Sequence, residues 1–247
     1  FQDILNPPDT AEAQKALAER GAASGSFIYY VGSTETPVES QGGAELPSKE
    51  KDTTQWGANG QITLLAQGPV LSAVVQEAQA AGKISWLRWE MVNGKQTAVF
   101  SFAVEKKKSH YAVNYCCFPD TDQTRLNILN QGLQPGMAGS LQADTSWVPY
   151  KSTTPYHGEL FVDAQNGIVV RLVTEAEFKS YETVHQEDTR IDYGAVAIGE
   201  KPLVVPIGVI IDTTVNPGGR DAAGKPVTRR TLFITDYKNY QLAGPAH

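Results

Sequence analysis

The chain has 247 residues, of which 41% are hydrophobic and 19% are charged, with 22 glycines and 14 prolines. This is long enough for one large all-β domain or for a domain with a smaller appendage, and the composition excludes a disordered or coiled-coil chain. The net charge of −6 argues against a nucleic-acid-binding protein, which needs a clustered basic surface, and no apolar run is long enough for a transmembrane helix.

Residues 1–67 differ in composition from the rest of the chain. Residues 10–20 (TAEAQKALAER) carry a capping residue and good helix formers and are followed by a glycine, which predicts a short helix. Residues 26–31 (SFIYYV) predict a strand, and the Gly-, Ser-, Thr- and Pro-rich stretch after it is typical of a loop, a linker or a segment ordered by a partner. We therefore predict an N-terminal extension over residues 1–67 and a second domain over residues 68–247.

Residues 68–82 (GPVLSAVVQEAQAAG) contain the best-formed helix signal. Pro69 suits the first turn of a helix, and Gly82 can end it. Apolar side chains recur at the spacing i, i+3, i+4 and i+7 of one helix face, and they are Leu71, Val74, Val75 and Ala78. We predict a helix over residues 69–81 that packs one face on a sheet.

Strand signals dominate from Ile84 onward. The runs ISWLRWEM and QTAVFSFAV flank Asn93-Gly94, a strong hairpin signal, and SHYAVNYCCF is predicted to complete a three-stranded meander. A second hairpin is predicted in GELFVDAQNGIVVRLVTEAE, with its turn at residues 163–167, and at least three more strands follow it. The predicted fold class is therefore mainly β: a curved antiparallel sheet or incomplete β-barrel of about seven to nine strands, with one or two covering helices.

Cys116 and Cys117 are the two cysteines of the chain, and they are adjacent. In a regular strand their side chains point to opposite faces, and neither a vicinal disulfide nor a zinc site suits this spacing. We predict two separate free thiols, at least one of them buried, with no bond between them.

No sequence pattern predicts a catalytic, metal or cofactor site. The four histidines form no spaced ligand set, and no nucleophile, Walker or Rossmann motif occurs. The carboxylate pairs Asp120/Asp122 and Glu187/Asp188 are interpreted as solvated residues of turns or strand starts. Residues 106–108, three lysines, are interpreted as a solvated loop tip. We predict no catalytic residue, no metal and no cofactor.

Aromatic residues on the first three predicted strands provide the candidate binding site. They are expected at facing positions across neighbouring strands, where they either form an ordinary packed core or line an apolar groove under the helix. The candidate ligand-binding residues are Leu71 and Val75 of the helix together with Trp86, Trp89, Phe100, Phe102, Tyr111 and Tyr115.

A hairpin signature and a strand signature carry a resemblance to a known family. The hairpin signature comprises Tyr156, Gly158, Val162, Asp163, Gly167 and Arg171. The strand signature that follows comprises Tyr193, Gly194, Val196, Ile198, Gly199 and Pro206. Together with QGPVLSAVVQEA, SWLRWE and AVFSFAVEKKKSHYAVNYCC, these segments make residues 68–241 resemble a family of uncharacterised secreted proteins of environmental bacteria.

More distantly, the order of the hairpin and strands is similar to the lipoprotein-carrier (LolA-like) fold. That resemblance implies a half-open antiparallel barrel whose concave apolar face is covered by helices and can hold an acyl chain. It implies no catalytic residues, and it leaves residues 1–67 without a counterpart.

Three hypotheses on function follow. The first is a noncatalytic secreted or periplasmic protein that binds a lipid or lipoprotein segment in the groove; since the chain begins at Phe1, a signal peptide is expected to have been removed or the chain trimmed. The second is a structural or assembly subunit that contacts a protein partner through residues 1–67. The third is a hydrolase with a site built from loops around His157 and His185.

Overall fold

The computed structural model describes residues 38–41, 44–45, 70–119, 147–179, 183–198, 201–215 and 229–241. The helix predicted over residues 10–20 and the strand predicted over residues 26–31 lie outside these ranges. The division into domains at residue 67 therefore stays a prediction.

The described elements are one α-helix, one 3-10 turn (Lys106–Lys108) and eleven strands. The helix is α1 (Leu71–Ala81). The strands are β1 (Ser40–Gln41), β2 (Ala44–Glu45), β3 (Ser85–Val92), β4 (Lys95–Val104), β5 (Ala112–Pro119), β6 (Trp147–Thr153), β7 (Tyr156–Asp163), β8 (Val169–Ala176), β9 (Val184–Ile198), β10 (Lys201–Val215) and β11 (Arg229–Asp236).

Seven of these strands form one antiparallel sheet in the order β11-β10-β9-β8-β7-β4-β3. The sheet is not closed into a barrel, so β11 and β3 are its outer strands in the described part of the chain. Strands β5 and β6 pair with each other in a separate two-stranded sheet, as do β1 and β2. The mainly β, antiparallel, open architecture predicted from the sequence is confirmed.

The predicted three-stranded meander is wrong in its third strand. Strand β4 pairs on its second side with β7, from Thr97 opposite Asp163 to Val104 opposite Tyr156, whereas β5 pairs with β6. At the start of β5, Tyr111 and Val113 are exposed by only 4% and 1% because they pack into the core. The chain therefore covers the sheet at this point instead of widening it.

Both predicted hairpin turns are confirmed. Asn93 and Gly94 have positive φ values of 50° and 75°, the backbone that a two-residue turn with the twist of a hairpin requires. In the second turn Gly167 has a φ of 72°. The Asp163 carboxylate accepts the Gln165 backbone N–H at 2.9 Å, and this hydrogen bond holds the pKa of Asp163 below its ordinary value.

Helix α1 lies on one face of the sheet and buries the side chains that its periodicity predicts. Val74 and Ala78 are fully buried, and Gly82 ends the helix in the left-handed conformation with a φ of 65°. The core beneath includes buried side chains from five neighbouring strands, among them Phe102, Tyr156, Leu160, Leu172, Ile191 and Ile211. We call this face of the sheet the helix face.

The opposite face of the sheet carries a small core combined with charged side chains. Phe161 is fully buried between Arg88 and Arg171, whose guanidinium carbons lie 5.9 Å and 5.7 Å from the ring centroid. Arg171 donates from Nε to Asp192 at 2.6 Å. The buried guanidinium of Arg171 is therefore paired with a carboxylate.

The cysteine pair does not lie in a regular strand. Tyr115 is paired with Tyr150 and Phe118 with Val148. Two residues of β5, Cys116 and Cys117, therefore lie opposite a single residue of β6, Pro149. Because proline has no backbone N–H to donate, an irregularity opposite it is expected. Strand alternation therefore does not hold at this point, and the predicted state of the two thiols concerns side chains outside the described part of the structure.

Candidate functional site

The predicted apolar groove is occupied by packed side chains in its middle. Phe102 and Tyr111 are exposed by only 3% and 4% and belong to the core under α1. Three further predicted residues, Leu71, Val75 and Phe100, are half-buried and pack against that core. The side chain of Tyr115 lies outside the described residues. In this part of the fold, these side chains form a packed core.

The two remaining predicted residues are on the surface. Trp86 and Trp89 are exposed by 56% and 55%, and Leu87 and Met91 of the same strand by 44% and 64%. All four belong to β3, the outer strand next to β4. We call these four side chains the apolar edge.

A register shift in β3 brings the two tryptophans to one face of the sheet. Residues three apart in a regular strand point to opposite faces. Here the pairing shifts between Trp86 and Arg88, so that Trp86 is opposite Phe100 and Trp89 is opposite Ala98, two positions of β4 that share a face. The indole rings meet edge to face with centroids 6.5 Å apart.

Met91 extends the apolar edge along the strand. It is opposite Gln96, which lies two residues before Ala98, so Met91 shares the face of the two tryptophans. That face is also the helix face, because Phe100 packs against the core beneath α1. Trp86, Trp89 and Met91 of the apolar edge therefore continue the helix face past the helix to the rim of the sheet.

On its other face, β3 is anchored by an ion-pair network. Arg88 donates to Glu159 through two parallel hydrogen bonds of 2.8 Å and 2.9 Å and to Glu90 through Nε at 2.8 Å. The hydrogen bond to Glu159 is the largest of the effects that raise the pKa of Arg88 above its ordinary value. A forked geometry of this kind fixes the strand more firmly than a single ion pair does. The apolar edge is thus presented by a well-anchored strand.

Glu77 fastens α1 beside the apolar edge. Its Oε2 atom accepts from the Tyr156 hydroxyl at 2.7 Å, and its Oε1 atom accepts from the His110 backbone N–H at 2.9 Å. The His110 ring nitrogen Nδ1 lies 2.7 Å from the same Oε1 atom. Three contacts with two segments of the chain hold the helix at a fixed position on the sheet.

Of the carboxyl groups that the structure describes on the helix face, that of Glu187 has the most strongly shifted pKa. It is buried, and its Oε1 atom accepts from the Tyr111 hydroxyl at 2.9 Å, while the same hydroxyl lies 3.1 Å from Oγ1 of Thr189. Burial raises the pKa of Glu187 to about 7. The prediction that it is a solvated residue is therefore wrong.

The groups required by a loop-built hydrolase site have separate surroundings. His110 contacts Glu77, whereas His157 contacts Glu177 at 3.0 Å. Asp188 is buried and, as the strand neighbour of Glu187, points to the opposite face. His185 is exposed, while Asp120 and Asp122 lie outside the described residues. Within the described ranges, no group of three or more His, Cys, Asp or Glu is arranged to hold a metal ion.

The sequence reasoning missed Leu87 and Met91 as members of the site. Met91 could have been found, because it is two residues after Trp89 and strand alternation places both on one face. Leu87 lies at the register shift, which no local residue pattern indicates. The shared face of the two tryptophans depends on the same shift.

Comparison with known proteins adds no relative: no protein-family model, no curated protein and no solved structure matches the chain. Among the described helices, none has the length and apolar character needed to cross a bilayer.

Proposed function

We propose that the protein is a noncatalytic secreted or periplasmic protein that binds lipid, and that the apolar edge is its contact surface. The observation that carries the proposal is the exposure of four large apolar side chains on one outer strand, each by 44% or more. Contiguous apolar surface of this kind, unlike single exposed residues, is typical of an interaction site.

The chemistry of the four side chains favours lipid as the partner. Tryptophan combines a large apolar ring with one N–H donor, so it is favoured at the boundary between acyl chains and water. Leucine and methionine add apolar area without any group that needs a specific hydrogen-bond partner. The location differs from the one expected from the LolA-like resemblance, since the contact is at the rim of the sheet and not in a groove under the helix.

The double variant Trp86→Ser/Trp89→Ser tests the proposal. We expect the wild-type protein to bind phosphatidylcholine vesicles with a blue shift in tryptophan fluorescence, since the indoles leave water. Loss of both rings should weaken binding about tenfold or more, because the loss of each ring removes on the order of 100 Å² of apolar contact. Vesicle co-sedimentation measures the difference.

A matched control lies on the β9–β10 hairpin. Leu203 and Val204 are exposed by 43% and 42%, so Leu203→Ser/Val204→Ser removes apolar surface far along the sheet from β3. This variant should bind vesicles as the wild type does. Equal losses in both variants, or full binding by the tryptophan variant, would refute the apolar edge as the contact surface.

A further inference from the structure

A cluster of lysines lies next to the apolar edge. It consists of Lys83, after the C-terminal end of α1, and residues 106–108, which form a 3-10 turn after β4. All four lysines are exposed. One carboxylate, that of Glu105, lies among them: Lys83 Nζ is 2.9 Å from its Oε1 atom. The cluster thus combines four lysines with one carboxylate in a chain whose net charge is −6.

The lysine cluster is on the same side of the sheet as the apolar edge. Lys108 donates from Nζ to the Ala80 carbonyl oxygen at 2.9 Å, which places the turn against the end of α1 on the helix face. Lys83 precedes Trp86 by three residues, a distance of about 10 Å along an extended chain. The acidic residue of β3, Glu90, is directed to the opposite face, where it pairs with Arg88.

We propose that the apolar edge and the lysine cluster together form a docking surface for an anionic lipid bilayer. This inference rests on the proposed function and specifies its partner. The indole rings of Trp86 and Trp89 enter the boundary between headgroups and acyl chains, while the lysines contact the phosphate groups beside them. The lysine turn is therefore part of the binding surface and more than a solvated loop tip.

Charge complementarity favours a charged bilayer over a neutral one. A lysine next to an anionic lipid surface strengthens binding about fivefold, and the effect decays within a Debye length of about 10 Å at 0.1 M salt. An apolar surface without the lysines would bind neutral and anionic bilayers alike, and repulsion from the net negative chain would then disfavour the anionic bilayer.

The double variant Lys106→Gln/Lys107→Gln tests the lysine cluster, and it leaves the contact of Lys108 with α1 intact. Co-sedimentation is measured with phosphatidylcholine vesicles and with vesicles of phosphatidylcholine and phosphatidylglycerol in equal amounts. The variant should bind the anionic vesicles about twentyfold more weakly than the wild type. Its binding to phosphatidylcholine should be unchanged, and 0.5 M salt, roughly the condition of a 4 Å Debye length, should remove most of the difference.

The control variant Lys151→Gln/Lys179→Gln changes the net charge by the same amount at exposed positions on β6 and after β8. It should retain binding to anionic vesicles. Equal loss in both lysine variants, or no loss in Lys106→Gln/Lys107→Gln, overturns the inference while leaving lipid binding through the tryptophans in place. If Trp86→Ser/Trp89→Ser binds both kinds of vesicle normally, the proposed function fails as well.

Discussion

Replacing Gly158 by alanine is expected to be among the most destabilising single substitutions in the sheet. A Cβ atom at this position would lie 1.9 Å from the Val173 carbonyl oxygen and 3.0 Å from Cζ of Phe102. The oxygen belongs to the backbone of β8, so it cannot move without disturbing the β7–β8 pairing in which Gly158 is opposite Thr174. Overpacking against a fixed backbone places the expected loss at about 3 kcal/mol of unfolding free energy, the upper part of the usual range.

Gly208→Ala is the matched control, since Gly208 also lies in a strand of the sheet. The nearest atoms to its added Cβ would be at 3.8 Å and 3.9 Å, which is ordinary van der Waals contact. Urea denaturation should show a change within about 0.5 kcal/mol for this variant. Comparable stability losses in the two alanine variants would show that the close approach at Gly158 is relieved by movement of β8.

The features predicted correctly depend on residues close together in the chain. Helix α1 follows from an apolar period of 3.6 and a terminal glycine, and the turns at Asn93-Gly94 and Gly167 follow from the need for positive φ. Each of these signals is complete within about fifteen residues. The mainly β, antiparallel class could be predicted for the same reason.

The features predicted wrongly depend on distant partners. Strand β5 leaves the meander because Tyr111 and Val113 have a core to cover, and that core is formed in part by much later strands, which contribute Ile211 and Val215. The irregularity at Cys116 and Cys117 lies opposite Pro149 of β6, a residue that comes beside them only after folding. Periodicity along one strand contains neither piece of information.

The candidate site illustrates both cases. Trp86 and Trp89 could be chosen as candidates from the sequence, because tryptophans on a strand either fill a core or form a binding surface. Their position on the rim could not, because it requires that β3 is the outer strand and that its register shifts beside Trp86. The sequence predicts only a solvated loop tip at residues 106–108 for the same reason: the proximity of these lysines to the tryptophans follows from strand pairing.

Buried carboxyl groups should make the protein less stable as the pH rises through neutrality. Burial raises the pKa of Glu187 from 4.5 to about 7, an effect that the Tyr111 hydrogen bond opposes. Burial likewise raises the pKa of Asp188 from 3.8 to about 6. The folded state therefore holds these protons more tightly than the unfolded state does, and stability falls across the interval between the two pKa values of each group. Because the Glu187 carboxyl is still half protonated at its folded pKa of about 7, the loss is complete only about one unit higher, near pH 8.

The variant Glu187→Gln should remove most of this pH dependence. Glutamine keeps an oxygen that accepts from the Tyr111 hydroxyl and carries no charge at any pH, so the cost of burying a carboxylate disappears. We expect the variant to equal the wild type near pH 4.5 and to exceed its unfolding free energy by about 3 kcal/mol at pH 8. Urea denaturation at pH 4.5, 6 and 8, about the limits and middle of the interval, measures the difference.

Glu105→Gln provides the control for this pH series. Its hydrogen bond with Lys83 holds the pKa of the Glu105 carboxyl below the ordinary value, so the group stays ionised from pH 6 to pH 8, roughly the upper half of the series. Its unfolding free energy should therefore run parallel to that of the wild type over this range. The unfolding free energy of Glu187→Gln could also run parallel to that of the wild type. In that case Glu187 is already ionised at neutral pH, and the Tyr111 hydroxyl donates its hydrogen bond to a buried carboxylate. Because the Tyr111 bond favours the ionised form, Tyr111→Phe should then lower stability most at high pH, where that form has to be accommodated without a donor.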